Sequence, residues 1–137
     1  MTELNLTRVL RAGRERVWRA WTDGAELAAW FWPASFATEA QVDARVGGSW
    51  RVASEAAGMA ASGQFVDVEP HSRLVYTWRW DGEEHETLVT LTLADAPDGG
   101  TVLTLTHERF ESEQSAADHE QGWNDCLDRL PTFIVVP

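Results

Sequence analysis

Near the start of the chain Leu4, Leu6 and Leu10 fall on one side of an alternating pattern, with Asn5, Thr7 and Arg11 on the other. That period of two predicts a half-buried first strand from Glu3 to Arg11. From Arg14 the period lengthens: Val17, Ala20 and Trp21 recur at helical spacing, and Asp23 stands where it can cap a second short helix containing Ala25, Leu27, Ala28 and Ala29. Trp30-Phe31-Trp32-Pro33 closes this pair, because a proline disfavours helical geometry in the residue before it.

Beyond Ser35 the pattern returns to strands, expected near 36–46, 48–55, 59–69, 72–81, 85–94 and 101–109. Gly47-Gly48, Ala56-Ala57-Gly58, Pro70-His71, Asp81-Gly82 and Ala96-Pro97-Asp98-Gly99-Gly100 separate them by hairpin-length turns, which predicts an antiparallel meander. Alternation is clearest in three runs. Leu74, Tyr76, Trp78 and Trp80 oppose Val75, Thr77 and Arg79; Val89, Leu91 and Leu93 oppose Thr90 and Thr92; Leu103, Leu105 and His107 oppose Val102, Thr104 and Thr106. One sheet face is therefore expected to be covered and the other wet.

After Phe110 the strand pattern stops and Ser112 can cap a long helix. Its apolar stripe is Ala116, His119 or Glu120, Trp123, Cys126 or Leu127, and Leu130. Pro131 is expected to kink or end it, with Thr132 to Val136 able to extend it. A strand, two short helices, six more strands and a striped helix make an α+β fold, a curved antiparallel sheet wrapped around its C-terminal helix. The expectation is a single domain over 1–137, with a ligand cavity between sheet and helix.

Charge narrows the partners. The 11 basic and 22 acidic residues give a net charge of −11, which repels nucleic-acid phosphates and anionic membrane surfaces. The N-terminus lacks the basic start and apolar core of a secretion signal, and no apolar run approaches a membrane span, so the expected location is the cytoplasm. Cys126 is alone, excluding an internal disulfide, and reads as a buried hydrophobe. The eight tryptophans are the unusual feature, since each buries a large apolar area while its indole N–H still needs an acceptor.

Several segments together resemble the START-like, or SRPBCC, superfamily, and within it bacterial homologues of the C-terminal domain of the heat-shock-protein ATPase activator. They are Glu15-Arg16-Val17-Trp18-Arg19-Ala20-Trp21-Thr22-Asp23, Trp30-Phe31-Trp32-Pro33, Val46-Gly47-Gly48-Ser49-Trp50, Gly63 through Pro70, Arg73 through Trp78, Gly100 through His107, and Gln121-Gly122-Trp123 followed by Leu127 and Leu130. The resemblance spans nearly the whole chain. It implies the helix-grip fold, and by analogy either a hydrophobic ligand in a cavity or a protein partner such as a chaperone. In this reading the Gly122-Trp123 step lets the helix approach the sheet.

The expected cavity lining is Tyr76, Trp78, Trp80, Leu91, Leu105, His107, Phe110, His119 and Trp123, an aromatic row on the sheet facing aromatic and histidine side chains of the helix and its entry. His107 reads either as a ligand contact or as a buried histidine satisfied by an internal partner. No Ser-His-Asp order, nucleophile elbow, phosphate loop or HExxH helix occurs, so no catalytic residue and no cofactor is assigned. The resemblance also implies a third alternative, a cavity-type cyclase or hydrolase of the kind found in the broader superfamily, with His107 and Glu39 or Asp43 as its candidate residues. The acidic run Asp81, Glu83, Glu84 and Glu86 with His85 lies at a hairpin tip and reads as a solvated turn, so no metal site is assigned there. An exposed patch of Trp30, Phe31 and Trp32 would favour the protein-interaction alternative.

Overall fold

The structure is a computed structural model that describes residues 2–135, without the side chain of Val135. Seven strands, β1 (Glu3–Leu10), β2 (Glu39–Val42), β3 (Ser49–Ser54), β4 (Met59–Glu69), β5 (Arg73–Trp80), β6 (Thr87–Asp95) and β7 (Thr101–Glu108), form one antiparallel sheet in the order β1-β7-β6-β5-β4-β3-β2. Three helices, α1 (Arg14–Thr22), α2 (Gly24–Trp30) and α3 (Glu113–Val135), complete the helix-grip fold. Among the described residues no helix is long and apolar enough to cross a membrane.

The register carries out what the alternation predicts. Leu6 and Leu91 flank Leu105 on neighbouring strands, Leu4 and Val89 flank His107, and Tyr76 lies between Val89 and Phe65. These side chains share one concave face and are buried or partly buried, whereas Thr90, Thr92, Thr104 and Thr106 on the other face keep partial access to solvent. Arg8 also falls on the concave side, where its guanidinium donates to Asn124 of α3 at 2.5 Å and leaves the charge at the edge of the sheet.

Local signals fix the helices. Asp23 accepts the Glu26 N–H through its carboxylate at 3.1 Å, and Ser112 accepts the Ser115 N–H at 3.0 Å, so both predicted caps are made. The C-terminal end of α2 is held from outside. Arg129 of α3 donates to the Trp30 carbonyl at 3.1 Å and the Phe31 carbonyl at 2.6 Å, supplying partners for groups that have none within the helix. That clamp sets where Phe31 and Trp32 turn inward.

Three expectations change. The strand expected over 36–46 is only β2, because residues 34–36 form a 3-10 turn that ends with Ala37 at φ 48°, and Asp43 leads into the next turn. The strand expected over 85–94 begins at Thr87, since His85 leaves the sheet to contact Arg109 and Glu111. Helix α3 continues through Pro131, with Ile134 buried and Phe133 under the Arg16 guanidinium at 5.1 Å. Packing there offsets the missing N–H; residue 136 of the expected extension lies outside the described residues. Trp30, Phe31 and Trp32, whose exposure would have favoured the protein-interaction alternative, are 2%, 4% and 7% exposed.

Candidate functional site

The interior between sheet and helix has a sealed part and an open part. In the sealed part Leu91, Leu105 and His107 have no solvent exposure. An indole N–H can only donate, so the 3.0 Å contact from Trp123 Nε1 makes His107 Nδ1 an acceptor and puts the ring hydrogen on Nε2. Nε2–H then donates to Thr87 Oγ1 at 2.6 Å, and the Thr87 hydroxyl donates to the Trp78 carbonyl at 3.3 Å. Burial, with a lesser contribution from nearby His119, pushes the His107 pKa down to about 3. His107 is thus a neutral linker joining β6, β7 and α3, and it orients Trp123.

At the other end the aromatic surfaces do not close. A cleft of about 320 Å³ lies among Trp78 and Trp80 of β5, Met59 at the start of β4, Phe31 and Trp32 beyond α2, and Asp118, His119, Gly122, Trp123 and Cys126 of α3. Trp32 and Trp80 stack with ring centres 6.3 Å apart, while Trp123 sits 5.7 Å from both Phe31 and Trp78. Trp80 Nε1 donates to His119 Nε2 at 2.8 Å, which leaves Nδ1 as the protonated nitrogen, donating to the Ser115 carbonyl at 2.8 Å. This contact ties β5 to α3 along the cleft wall. Behind Phe31 and Trp78 a second, small void of about 20 Å³ is lined only by apolar and aromatic side chains, among them Trp50, Phe65 and Tyr76.

Of the residues expected to line a cavity, the structure brings Trp78, Trp80, His119 and Trp123 together around the cleft. Tyr76 borders only the small void, where its hydroxyl accepts from Trp21 Nε1 at 3.3 Å and burial raises its pKa. Leu91 and Leu105 lie in the sealed core, and Phe110 packs over His107 with ring centres 4.4 Å apart. Sequence reading missed Phe31, Trp32, Met59, Asp118, Gly122 and Cys126. One available signal was Gly122: a helix-interior glycine costs stability, and here a Cβ would meet nothing within 4 Å. Close approach to the sheet is therefore not its reason, contrary to expectation. It borders the cleft instead.

Other candidate chemistry is dispersed. Glu39 and Asp43 are exposed at the β2 edge, separated from His107 on β7 by four intervening strands, so that trio is not assembled. Asp81 accepts two hydrogen bonds from Arg51, which hold its carboxyl below the usual range. Among the described residues no three His, Cys, Asp or Glu side chains are placed to hold a metal. Cys126 is 5% exposed, and burial pushes its thiol up to about 12, leaving it protonated and unreactive at neutral pH.

The sequence pattern of the family described as Activator of Hsp90 ATPase homolog 1-like protein matches residues 11–134. Among curated proteins no match is found. Protein CV1439 from Chromobacterium violaceum is 30% identical over 99% of both chains, with a TM-score of 0.86. DynU16, from the dynemicin biosynthetic locus, is 25% identical with a TM-score of 0.83; the match covers 98% of this chain and 47% of that one. PFC0360w, an HSP90 activator from Plasmodium falciparum, is 20% identical with a TM-score of 0.82 over 100% of this chain and 99% of that one, a likeness of fold.

Proposed function

The chain belongs to the Activator of Hsp90 ATPase homolog 1-like protein family, and from that premise we propose that it binds a hydrophobic small molecule in the cleft between β5 and α3. The observation that carries this reading is a 320 Å³ opening walled by Phe31, Trp32, Trp78, Trp80 and Trp123, whereas the neighbouring apolar void of about 20 Å³ has no room for an organic ligand. The opening falls at the lower end of the size range of small-molecule sites, and a mostly apolar wall with few polar groups is their usual character. One further feature supports it: Gly122 keeps the helix wall thin where a larger residue would enter the cleft.

The family description and the Plasmodium relative raise chaperone engagement as the alternative. The aromatic patch that would favour it is buried, and the large hydrophobic side chains that stand exposed among the described residues are Val9, Val46 and Val66. The cleft therefore supports ligand binding better than it supports a protein contact.

The test uses the neutral fluorophore N-phenyl-1-naphthylamine. Saturable binding with one probe per chain is expected, weakened about tenfold by Gly122→Leu, which fills the cleft from a helix position that tolerates leucine. Binding that does not saturate, or that Gly122→Leu leaves unchanged, overturns the assignment.

A further inference from the structure

We propose that the molecule taken by the cleft carries a cationic end, an ammonium group, seated at the mouth beside Asp118; this deepens the reading above and rests on it. Six of the ten lining residues are aromatic: Phe31, Trp32, Trp78, Trp80, His119 and Trp123. Tryptophan faces attract cations through the negative face of the ring quadrupole, most strongly among the aromatic side chains. Asp118 is the acidic residue of the lining, and no arginine contributes to it. The nearest guanidinium on the same helix, that of Arg129, is committed to the Trp30 and Phe31 carbonyls.

Asp118 itself has no countercharge. It accepts from Gln114 Nε2 at 2.9 Å and joins none of the ion pairs formed among the described residues. Glu83 lines the adjoining groove, which shares Met59 and Trp80 with the cleft, while Asp81 in that groove is neutralised by Arg51. The mouth is therefore negative as well as aromatic. A closed apolar cavity would favour neutral ligands, because it strips water from any ion. This cleft is open at the rim, so the apolar body enters between the tryptophans while the ammonium group keeps part of its hydration. An anion would meet Asp118 and Glu83 with no cation to receive it.

The experiment compares two molecules of the same shape, 2-(2-naphthyl)ethyl-trimethylammonium and 2-(3,3-dimethylbutyl)naphthalene, as displacers of N-phenyl-1-naphthylamine from the full chain. The cation is expected to displace the probe at about tenfold lower concentration than the neutral isostere. Asp118→Asn should reduce that advantage to about threefold. Asp128→Asn, an exposed acid of the same helix outside the cleft, should leave the advantage intact, separating local recognition from attraction by the net charge. Equal displacement by the two molecules overturns the inference and leaves the cleft assignment standing. An advantage unaltered by Asp118→Asn, or lost equally in Asp128→Asn, also overturns it. Failure of both molecules to displace the probe overturns the cleft assignment itself.

Discussion

The sealed and open parts of the interior are built from the same kinds of residue and end differently. Around His107 every ring nitrogen has a partner, and the leucines of β6 and β7 meet the buried stripe of α3 formed by Trp123, Cys126, Leu127 and Leu130. Around Trp80, two strands away, the aromatic side chains stack on each other but leave a cleft, and the helix offers Gly122 where a packing residue would be expected. Burial in the first region maximises stability. In the second, apolar surface stays open at a cost that packing alone does not repay, which is the usual mark of a surface kept for a partner. Trp123 belongs to both: its N–H is spent on His107 while its ring forms the cleft floor.

Trp123→Ala should therefore be the most damaging change, costing about 3–5 kcal/mol, as truncation of a buried tryptophan does. Urea unfolding at neutral pH measures it. The indole is 3% exposed and stacks on Trp21 at 6.3 Å, so its loss opens the sealed part as well as the cleft. A cost below about 1 kcal/mol would mean that Trp123 is held by the open region alone, and the division drawn here would fail.

Acid probes the sealed part separately. His107 stays neutral in the folded chain down to about pH 3, whereas its ordinary value is 6.5, so the unfolded chain binds more protons throughout that window. Stability is accordingly unaffected by this group above the window and falls as pH drops through it, by about 3 kcal/mol at roughly pH 4.5. His107→Gln removes the titration. The difference in unfolding free energy between wild type and variant should shrink by about that amount between neutral pH and roughly pH 4.5. A constant difference would show that His107 is hydrated, and that the sealed part is not sealed.

Much of this division was legible in the sequence, but not its boundary. Alternation in β5, β6 and β7 placed Tyr76, Trp78, Leu91, Leu105 and His107 on the covered face, and Asp23 and Ser112 marked both helix starts, because face and cap depend on local chemistry. How far a helix covers a face depends on distant contacts. Leu91 and Leu105 follow the same rule as Trp78, yet only Trp78 reaches the cleft. Trp30-Phe31-Trp32 was legible as the end of the helix pair, but not its inward path, which is set by Arg129, 99 residues from Trp30 along the chain. The same distance hid Phe31 and Trp32 from the predicted lining.

Gly122 gives the smallest and most discriminating effect. In an exposed helix interior, glycine is destabilising relative to alanine by about 0.5–1 kcal/mol, through its greater backbone freedom when unfolded. The position permits alanine, since an added Cβ finds nothing within 4 Å and the residue is not among those with positive φ. Gly122→Ala should thus raise the unfolding free energy by about 0.5–1 kcal/mol in urea titrations. The same methyl group projects at the cleft wall, so affinity for N-phenyl-1-naphthylamine should fall modestly, by about two- to threefold. Stability and binding then move in opposite directions. That opposition separates a glycine that keeps room for a ligand from one that keeps room for the sheet, because in the second case alanine would clash and stability would fall. A stabilised variant that binds the probe as tightly as wild type would move the ligand away from α3, toward the wall formed by Trp32, Met59 and Trp80.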